Sequence, residues 1–191
     1  NYLNKNYKIM TIFINILTLS RIILAAIIFI LLMSSDGYLI AFILFFVAGI
    51  TDYFDGYLAR KHNAVSQLGE ILDPIADKIL ILFLLFALAI NLSSYLIGFI
   101  GALIITREIW VGALRDMNAR NGRSDATKVT FLAKIKTSIQ LFTISIYLLG
   151  LTINNMLVIV VGDIFLFLSL FITLYTGFLY TINSFKFHEP Q

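Results

Sequence analysis

The sequence predicts an all-α integral membrane protein, a bundle of six transmembrane helices. Three observations predict it. Of 191 residues, 60% are hydrophobic and only 13% charged, about half the charge of a soluble domain. Mean hydropathy is +0.93, and six apolar runs of about 20 residues, long enough to cross a bilayer as helices, divide the chain. The runs are continuous rather than alternating, so helices satisfy the backbone in lipid where barrel strands would not fit the pattern.

The first run, 12–33, is too long for a signal-peptide core and lacks a small-residue cleavage site, so it reads as retained. Met10 is a candidate start, with 1–9 an upstream extension. Arg21 lies inside this run. An arginine buried there needs an anionic partner, a carboxylate or a bound diphosphate; snorkelling to the interface is the alternative. The second run, 38–59, ends in acidic residues, and 61–68 reads as a tight connection to the third, 72–90. Pro74 falls in the first turn of that run, where its missing N–H is tolerated. The fourth run, 95–114, leads into the longest polar stretch, 116–128. The fifth and sixth are 131–151 and 156–180. Asp163, near the start of the sixth, reads as a cap or an interfacial charge, and Trp110 as lipid-facing or packing. No Pro-, Gly- or Ser-rich linker divides the chain, so 1–191 reads as one domain.

Charge fixes an orientation. The connections 34–37, 91–94 and 152–155 hold no Lys or Arg, and all 14 basic residues fall towards the opposite ends of the runs. Positive residues stay cytoplasmic, which places both termini, including 1–11 as a cytoplasmic N-terminal segment, on that side. The net charge of +3 favours anionic headgroups and gives no reason to expect nucleic acid. Cysteine is absent, which removes disulfides, thiolate nucleophiles and cysteine metal sites. His62 and His188 show no ligand spacing.

The chemistry concentrates in one stretch: Asp52-x2-Asp55-Gly56-x2-Ala59-Arg60-x8-Gly69-x3-Asp73-x3-Asp77. A carboxylate costs roughly 2.5–3.5 kcal/mol at a membrane helix centre, and four together repel one another. Asp52 and Asp55 lie about 60° apart on a helix, and Asp73 and Asp77 share a face. Adjacent antiparallel helices can bring both pairs into one pocket. Carboxylate oxygens suit hard divalent cations such as Mg2+, Mn2+ or Ca2+, and four suffice for a two-metal site that clamps the oxygens of a phosphoryl displacement. Gly56, Ala59 and Gly69 leave room for a ligand, and Arg60 can fork onto phosphate. Tyr53, Phe54 and Tyr57 flank the stretch, as a border to a lipid entrance.

These residues resemble the signature of the CDP-alcohol phosphatidyltransferase family at every defining position, including the eight-residue gap. The resemblance implies a six-helix membrane bundle of that type, commonly a homodimer, which transfers a substituted phosphate from a CDP-linked donor to an alcohol and releases CMP. It implies that Asp52, Asp55, Asp73 and Asp77 hold two divalent cations, Mg2+ or Mn2+, that Asp77 is also the general base, and that Gly56, Ala59, Arg60 and Gly69 line the CDP pocket beside Asp52.

The motif fixes the reaction and leaves the alcohol open. Asn15-x2-Thr18-x2-Arg21, with Thr106-Arg107-Glu108-Ile109, Val111-x2-Leu114-Arg115 and Leu132-Ala133-Lys134-x-Lys136-Thr137, resembles the branch whose donor is CDP-diacylglycerol and whose acceptor is glycerol 3-phosphate. Gly112 and Ala133 depart from that branch, which commonly has serine and glycine there. Asn15, Thr18 and Arg21 are then candidate donor contacts. A dianionic acceptor needs cations outside the metal cluster, and Arg107, Arg115, Lys136 and, less favoured, Lys134 are the candidates. Arg107 and Arg115 lie about 80° apart and about 12 Å along one helix, so both reach one phosphate only if that helix ends or bends; pairing with Glu108 or Asp116 is their alternative role. Serine, inositol phosphate or phosphatidylglycerol are the other acceptors. A small cation transporter predicts polar residues across the whole membrane, whereas the first, fifth and sixth runs offer few at mid-depth. A structural protein without catalysis fits an intact acidic motif poorly.

Overall fold

The computed structural model describes residues 2–61, 66–127 and 131–186, excluding the side chains of 2–9, 59, 60, 67, 70 and 134. Six long helices follow one another: α1 (Tyr2–Leu31), α2 (Tyr38–Lys61), α3 (Gln67–Asn91), α4 (Tyr95–Arg120), α5 (Phe131–Thr152) and α6 (Met156–Lys186). Each corresponds to one apolar run of the sequence. Short 3-10 turns, Ser35–Gly37 and Ser124–Thr127, lie in two of the connections.

The helices outlast their apolar runs because polar flanks end hydropathy without ending helicity. The segment 1–11 is therefore not a separate element: α1 already begins at Tyr2. α4 continues to Arg120, so 116–120 is helix rather than loop, supported by an Asp116–Arg120 ion pair one turn apart at 2.9 Å. α3 begins at Gln67, where Ser66 Oγ accepts from the Gly69 N–H at 3.0 Å and caps the exposed donors of the first turn. Pro74 is thus inside the helix, beyond the first turn expected for it.

Three helix ends close in the same way. Ser93, Gly122 and Asn154 adopt positive φ of 48°, 70° and 51°. In each case the next N–H reaches back five residues: Ser94 to Ala89, Arg123 to Asn118 and Asn155 to Gly150, at 2.9, 2.7 and 2.9 Å. This left-handed closure satisfies orphan carbonyls and reverses the chain sharply, which turns α3 into α4 and α5 into α6.

Among the described residues five helices, α1, α2, α4, α5 and α6, are long and apolar enough to cross a membrane; the chain is a multi-pass membrane protein. α3 packs against α1, α4 and α5. Its Ala76, Leu80, Leu84, Leu85, Ala87 and Leu88 are buried, while Ile23, Ile30, Ile43 and Phe171 of the other helices face outward. Lipid is as apolar as leucine, so close packing and interhelical hydrogen bonds hold such a bundle. Asn91 provides one, donating from the end of α3 to the Leu32 carbonyl at 2.6 Å and the Tyr38 hydroxyl at 2.8 Å.

Candidate active site

The end of α2 and the start of α3 bring Asp52, Asp55, Asp73 and Asp77 around a single guanidinium, that of Arg21 on α1. Arg21 Nη2 donates to Asp55 Oδ2 and Asp73 Oδ1, both at 2.8 Å. Nη1 donates to Asp77 Oδ1 at 2.6 Å and also to Asp52 Oδ1. Arg21 is fully buried and Asp55 nearly so, whereas the Asp52, Asp73 and Asp77 side chains are 41–48% exposed. The anionic partner required by a buried arginine is therefore the aspartate cluster itself.

The other α1 candidates serve the same cluster. The Thr18 hydroxyl lies 3.1 Å from both Asp55 Oδ2 and Asp73 Oδ1. Asn15 Oδ1 accepts from Ser66 Oγ at 3.4 Å, and a Cβ on Gly69 would lie 3.2 Å from both atoms. Gly69 thus lets α1 approach the capped start of α3. Gly56 is half-buried beside the cluster. The side chains of Ala59 and Arg60, assigned to the donor pocket, lie outside the described residues.

The donor set fits divalent cations. Four carboxylates against one guanidinium leave a net negative site, and Asp55 Oδ1 is buried without a partner. Among the described residues no three acidic or histidine side chains already stand at metal-ligating geometry, because the guanidinium occupies the centre and spaces the oxygens around its own two nitrogens.

Next to the cluster, between α3, α4 and α5, is a cavity of about 560 Å³ bordered by Asp77, Lys78, Arg107, Glu108, Arg115 and Lys136. Arg107 and Lys136 are buried. Glu108 Oε1 accepts from Arg107 Nη1 at 2.8 Å and also from Lys136 Nζ. Both cations thus have the internal partner considered as their alternative role, while Arg115 does not share it among the ion pairs described. The expected separation of Arg107 and Arg115 along one helix holds in the structure. α4 does not end between them, yet both border the cavity, and their guanidinium carbons lie 5.7 and 5.5 Å from the centroid of one ring, Tyr180. The Lys134 side chain lies outside the described residues. Gly112 and Ala133 both border the cavity, and a Cβ added at Gly112 would meet open space; glycine in place of serine leaves the cavity roomier, whereas alanine in place of glycine adds a methyl to its wall.

A second cavity of about 390 Å³ is mainly apolar, bordered by Phe45, Phe46, Leu141 and Phe142, with Arg21, Asp52 and Asp77 on its polar side. Asp77 therefore borders both cavities.

Sequence reasoning missed the contribution of α6. Arg107 Nη2 donates to Thr176 Oγ1 at 2.7 Å, and a Cβ on Gly177 would lie 2.9 Å from Arg107 Cγ. The expectation of few polar residues at mid-depth also fails: Gln140, Thr143, Ser169, Thr173 and Thr176 are all buried. They line one seam, where the Gln140 amide donates to Thr173 at 3.3 Å and Thr176 bonds its own helix carbonyls. Asp163 lies inside α6 and so is not a cap; half-buried, it accepts from the Tyr147 hydroxyl at 2.6 Å. Trp110 is half exposed and donates to Thr181 at 2.9 Å. Tyr53 and Tyr57 stack on the exposed face of α2.

Comparison with known proteins shows what the chain is similar to. A family model described as CDP-alcohol phosphatidyltransferase matches residues 12–175. A Rickettsia bellii protein named CDP-diacylglycerol–glycerol-3-phosphate 3-phosphatidyltransferase is 41% identical over 139 residues, covering 72% of this chain and 75% of its own. A protein of the same name from Rickettsia typhi is 37% identical over 169 residues, 87% of this chain and 93% of its own. Another, from Escherichia coli K12, is 35% identical over 105 residues, 55% of this chain and 58% of its own.

Proposed function

The chain belongs to the CDP-alcohol phosphatidyltransferase family, and from that premise we propose that it transfers the phosphatidyl group of CDP-diacylglycerol to glycerol 3-phosphate, giving phosphatidylglycerol phosphate and CMP. The position of Asp77 carries this reading. One carboxylate of the acidic cluster borders both a cation-lined cavity and an apolar one, so a small anionic acceptor and a lipid donor can meet at it.

The acceptor phosphate is assigned to Arg107, Arg115 and Lys136, with Lys134 a further candidate. The acceptor hydroxyl then faces Asp77, which takes its proton as attack proceeds. The hydroxyl oxygen bonds to the phosphorus of the phosphatidyl group, the bond from that phosphorus to the bridging oxygen breaks, and CMP departs. Two divalent cations, Mg2+ or Mn2+, held by Asp52, Asp55, Asp73 and Asp77, would neutralise charge on the diphosphate and on CMP. Asn15, Thr18, Arg21, Gly56, Ala59, Arg60 and Gly69 are assigned to the donor side, where Thr18 and Arg21 act through the carboxylates they hold. The apolar cavity suits the acyl end of the donor.

Basic residues gather at the end of the bundle that holds the aspartates, which supports an active site on the cytoplasmic face, in a bacterial inner or plasma membrane as the relatives suggest. The family resemblance supports a homodimer.

The test is purified protein with CDP-diacylglycerol, Mg2+ or Mn2+ and a panel of alcohols, scored by lipid product. Phosphatidylglycerol phosphate is the expected product; product from serine, inositol phosphate or phosphatidylglycerol alone overturns the acceptor. Asp77→Asn is expected to abolish turnover while sparing donor binding, and normal CMP release from it overturns the general-base role. A labelled phosphatidyl adduct on the protein would contradict direct attack.

A further inference from the structure

We propose that Gln140 determines acceptor specificity by reading the hydroxyl of glycerol 3-phosphate that does not react, with Thr173 as the residue that positions its amide; the inference rests on the acceptor reading above. Gln140 is 4% exposed and borders the cation-lined cavity. It lies one helical turn after Lys136 on α5, so the two side chains share a face. Nε2 donates to Thr173 Oγ1 at 3.3 Å, and Thr173 is fully buried. Among the described residues that is the one hydrogen bond the amide makes, which leaves its carbonyl and its second N–H uncommitted.

The chemistry of the two ends of the acceptor separates their partners. A phosphate only accepts hydrogen bonds, and Arg107, Arg115 and Lys136 only donate. A glutamine carbonyl beside phosphate oxygens would oppose them. A hydroxyl donates and accepts at once, and a primary amide offers both functions. The reacting hydroxyl faces Asp77, so the neighbouring one needs another partner in a cavity whose remaining border includes Ile79, Ile81 and Ile104. Thr137 also borders this cavity. It follows Lys136 directly, about 100° further around α5 and about 60° from Gln140, at the edge of the face that Lys136 and Gln140 share, and so serves as the control.

The bland role for Gln140 is to join α5 to α6 through Thr173. Such a role lowers activity on every acceptor alike and leaves specificity untouched. Hydroxyl recognition instead sets a ratio. A site built to hydrogen-bond a substrate hydroxyl rejects the analogue that lacks it, because its own buried polar group is then left unpaired.

The experiment measures kcat/KM by lipid product for glycerol 3-phosphate and for 3-hydroxypropyl phosphate, which lacks the central hydroxyl. The wild type is expected to prefer glycerol 3-phosphate by about 10- to 100-fold, the range for one buried hydrogen bond. Gln140→Leu is expected to bring that ratio within about threefold of one, chiefly through KM for glycerol 3-phosphate. Gln140→Met, closer in shape, serves the same measurement if the leucine variant does not fold. Thr173→Val is expected to give an intermediate ratio, since the amide remains but loses its anchor. A wild-type ratio near one, a wild-type ratio retained in both Gln140 variants, or its loss in Thr137→Val instead overturns the proposal. Lipid product from a different alcohol and from neither of these two refutes the acceptor reading itself.

Discussion

Replacing Arg21 by methionine tests the centre of the site, because the side-chain volume stays similar while the charge disappears. The fully buried contact is Arg21–Asp55, with side chains 0% and 1% exposed. Breaking such a pair by removing one partner costs about 3–5 kcal/mol, since the other charge stays buried alone. The pairs with Asp52, Asp73 and Asp77 add little, because those carboxylates are 41–48% exposed and water screens them. For a chain of this size, a loss of 3–5 kcal/mol corresponds to a fall in Tm of about 10 °C. The assay is thermal unfolding of detergent-solubilised protein in EDTA and in Mn2+. In EDTA, Arg21→Met is expected to melt about 10 °C below the wild type. Mn2+ is expected to raise its Tm by more than that of the wild type, because the carboxylates then have no competing guanidinium. Equal melting in EDTA, or an equal metal-induced rise, would refute the view that Arg21 balances the aspartates.

Arg115→Gln is expected to lower kcat/KM for glycerol 3-phosphate by about 10- to 100-fold, the worth of one charge-assisted hydrogen bond, with the effect in KM; a comparable loss on an acceptor without a phosphate monoester would place Arg115 in the scaffold instead. Gly177→Ala puts a methyl 2.9 Å from Arg107 Cγ, and steady-state kinetics are expected to show acceptor KM raised about tenfold through misplacement of that guanidinium; wild-type kinetics would mean that Arg107 relaxes freely. Glu108→Gln frees Arg107 and Lys136 from their shared partner, so acceptor KM is expected to fall a few-fold while Tm drops. A raised KM would show that Glu108 orients the cations rather than competing for them.

Spacing alone made the acidic cluster legible, because charged groups that membrane burial penalises must find one another. The same penalty made the need of Arg21 for an anion legible, although four partners at once was not. The reach of α1, α3 and α4 was obscured because hydropathy marks where lipid ends, not where helical hydrogen bonding ends; Ser66 and Arg120 lie outside the apolar runs. That hid the true position of Pro74. The part played by α6 was harder to read, since Thr176, Gly177 and Tyr180 carry no charge. A signal was present: Ser169, Thr173, Thr176, Gly177, Tyr180 and Ser184 recur at three- and four-residue spacing and are all buried, a small and polar stripe in an otherwise apolar helix. What they contact is tertiary information, and only the fold supplies it.

The two halves of the site carry placeholders of opposite sign. Arg21 stands among four carboxylates where cations would sit, and Glu108 stands between two cations beside the cavity assigned to an anionic phosphate. Without such counter-ions, like charges in a low-dielectric bundle would splay or lose their ionisation. With them, the side chains stay near a working arrangement before any ligand arrives. The consequence is competition: each ligand must displace or share an internal ion pair, which weakens affinity while preserving geometry. The two exchanges differ in ease. The Glu108 side chain is 19% exposed and holds both cations through one oxygen, so a single rotation releases them. Arg21 is fully buried and engages all four aspartates, so cations entering the cluster must work against four hydrogen bonds together. The cavity proposed for the acceptor is therefore the readily rewired half of the site, and the acidic cluster the half that sets its architecture.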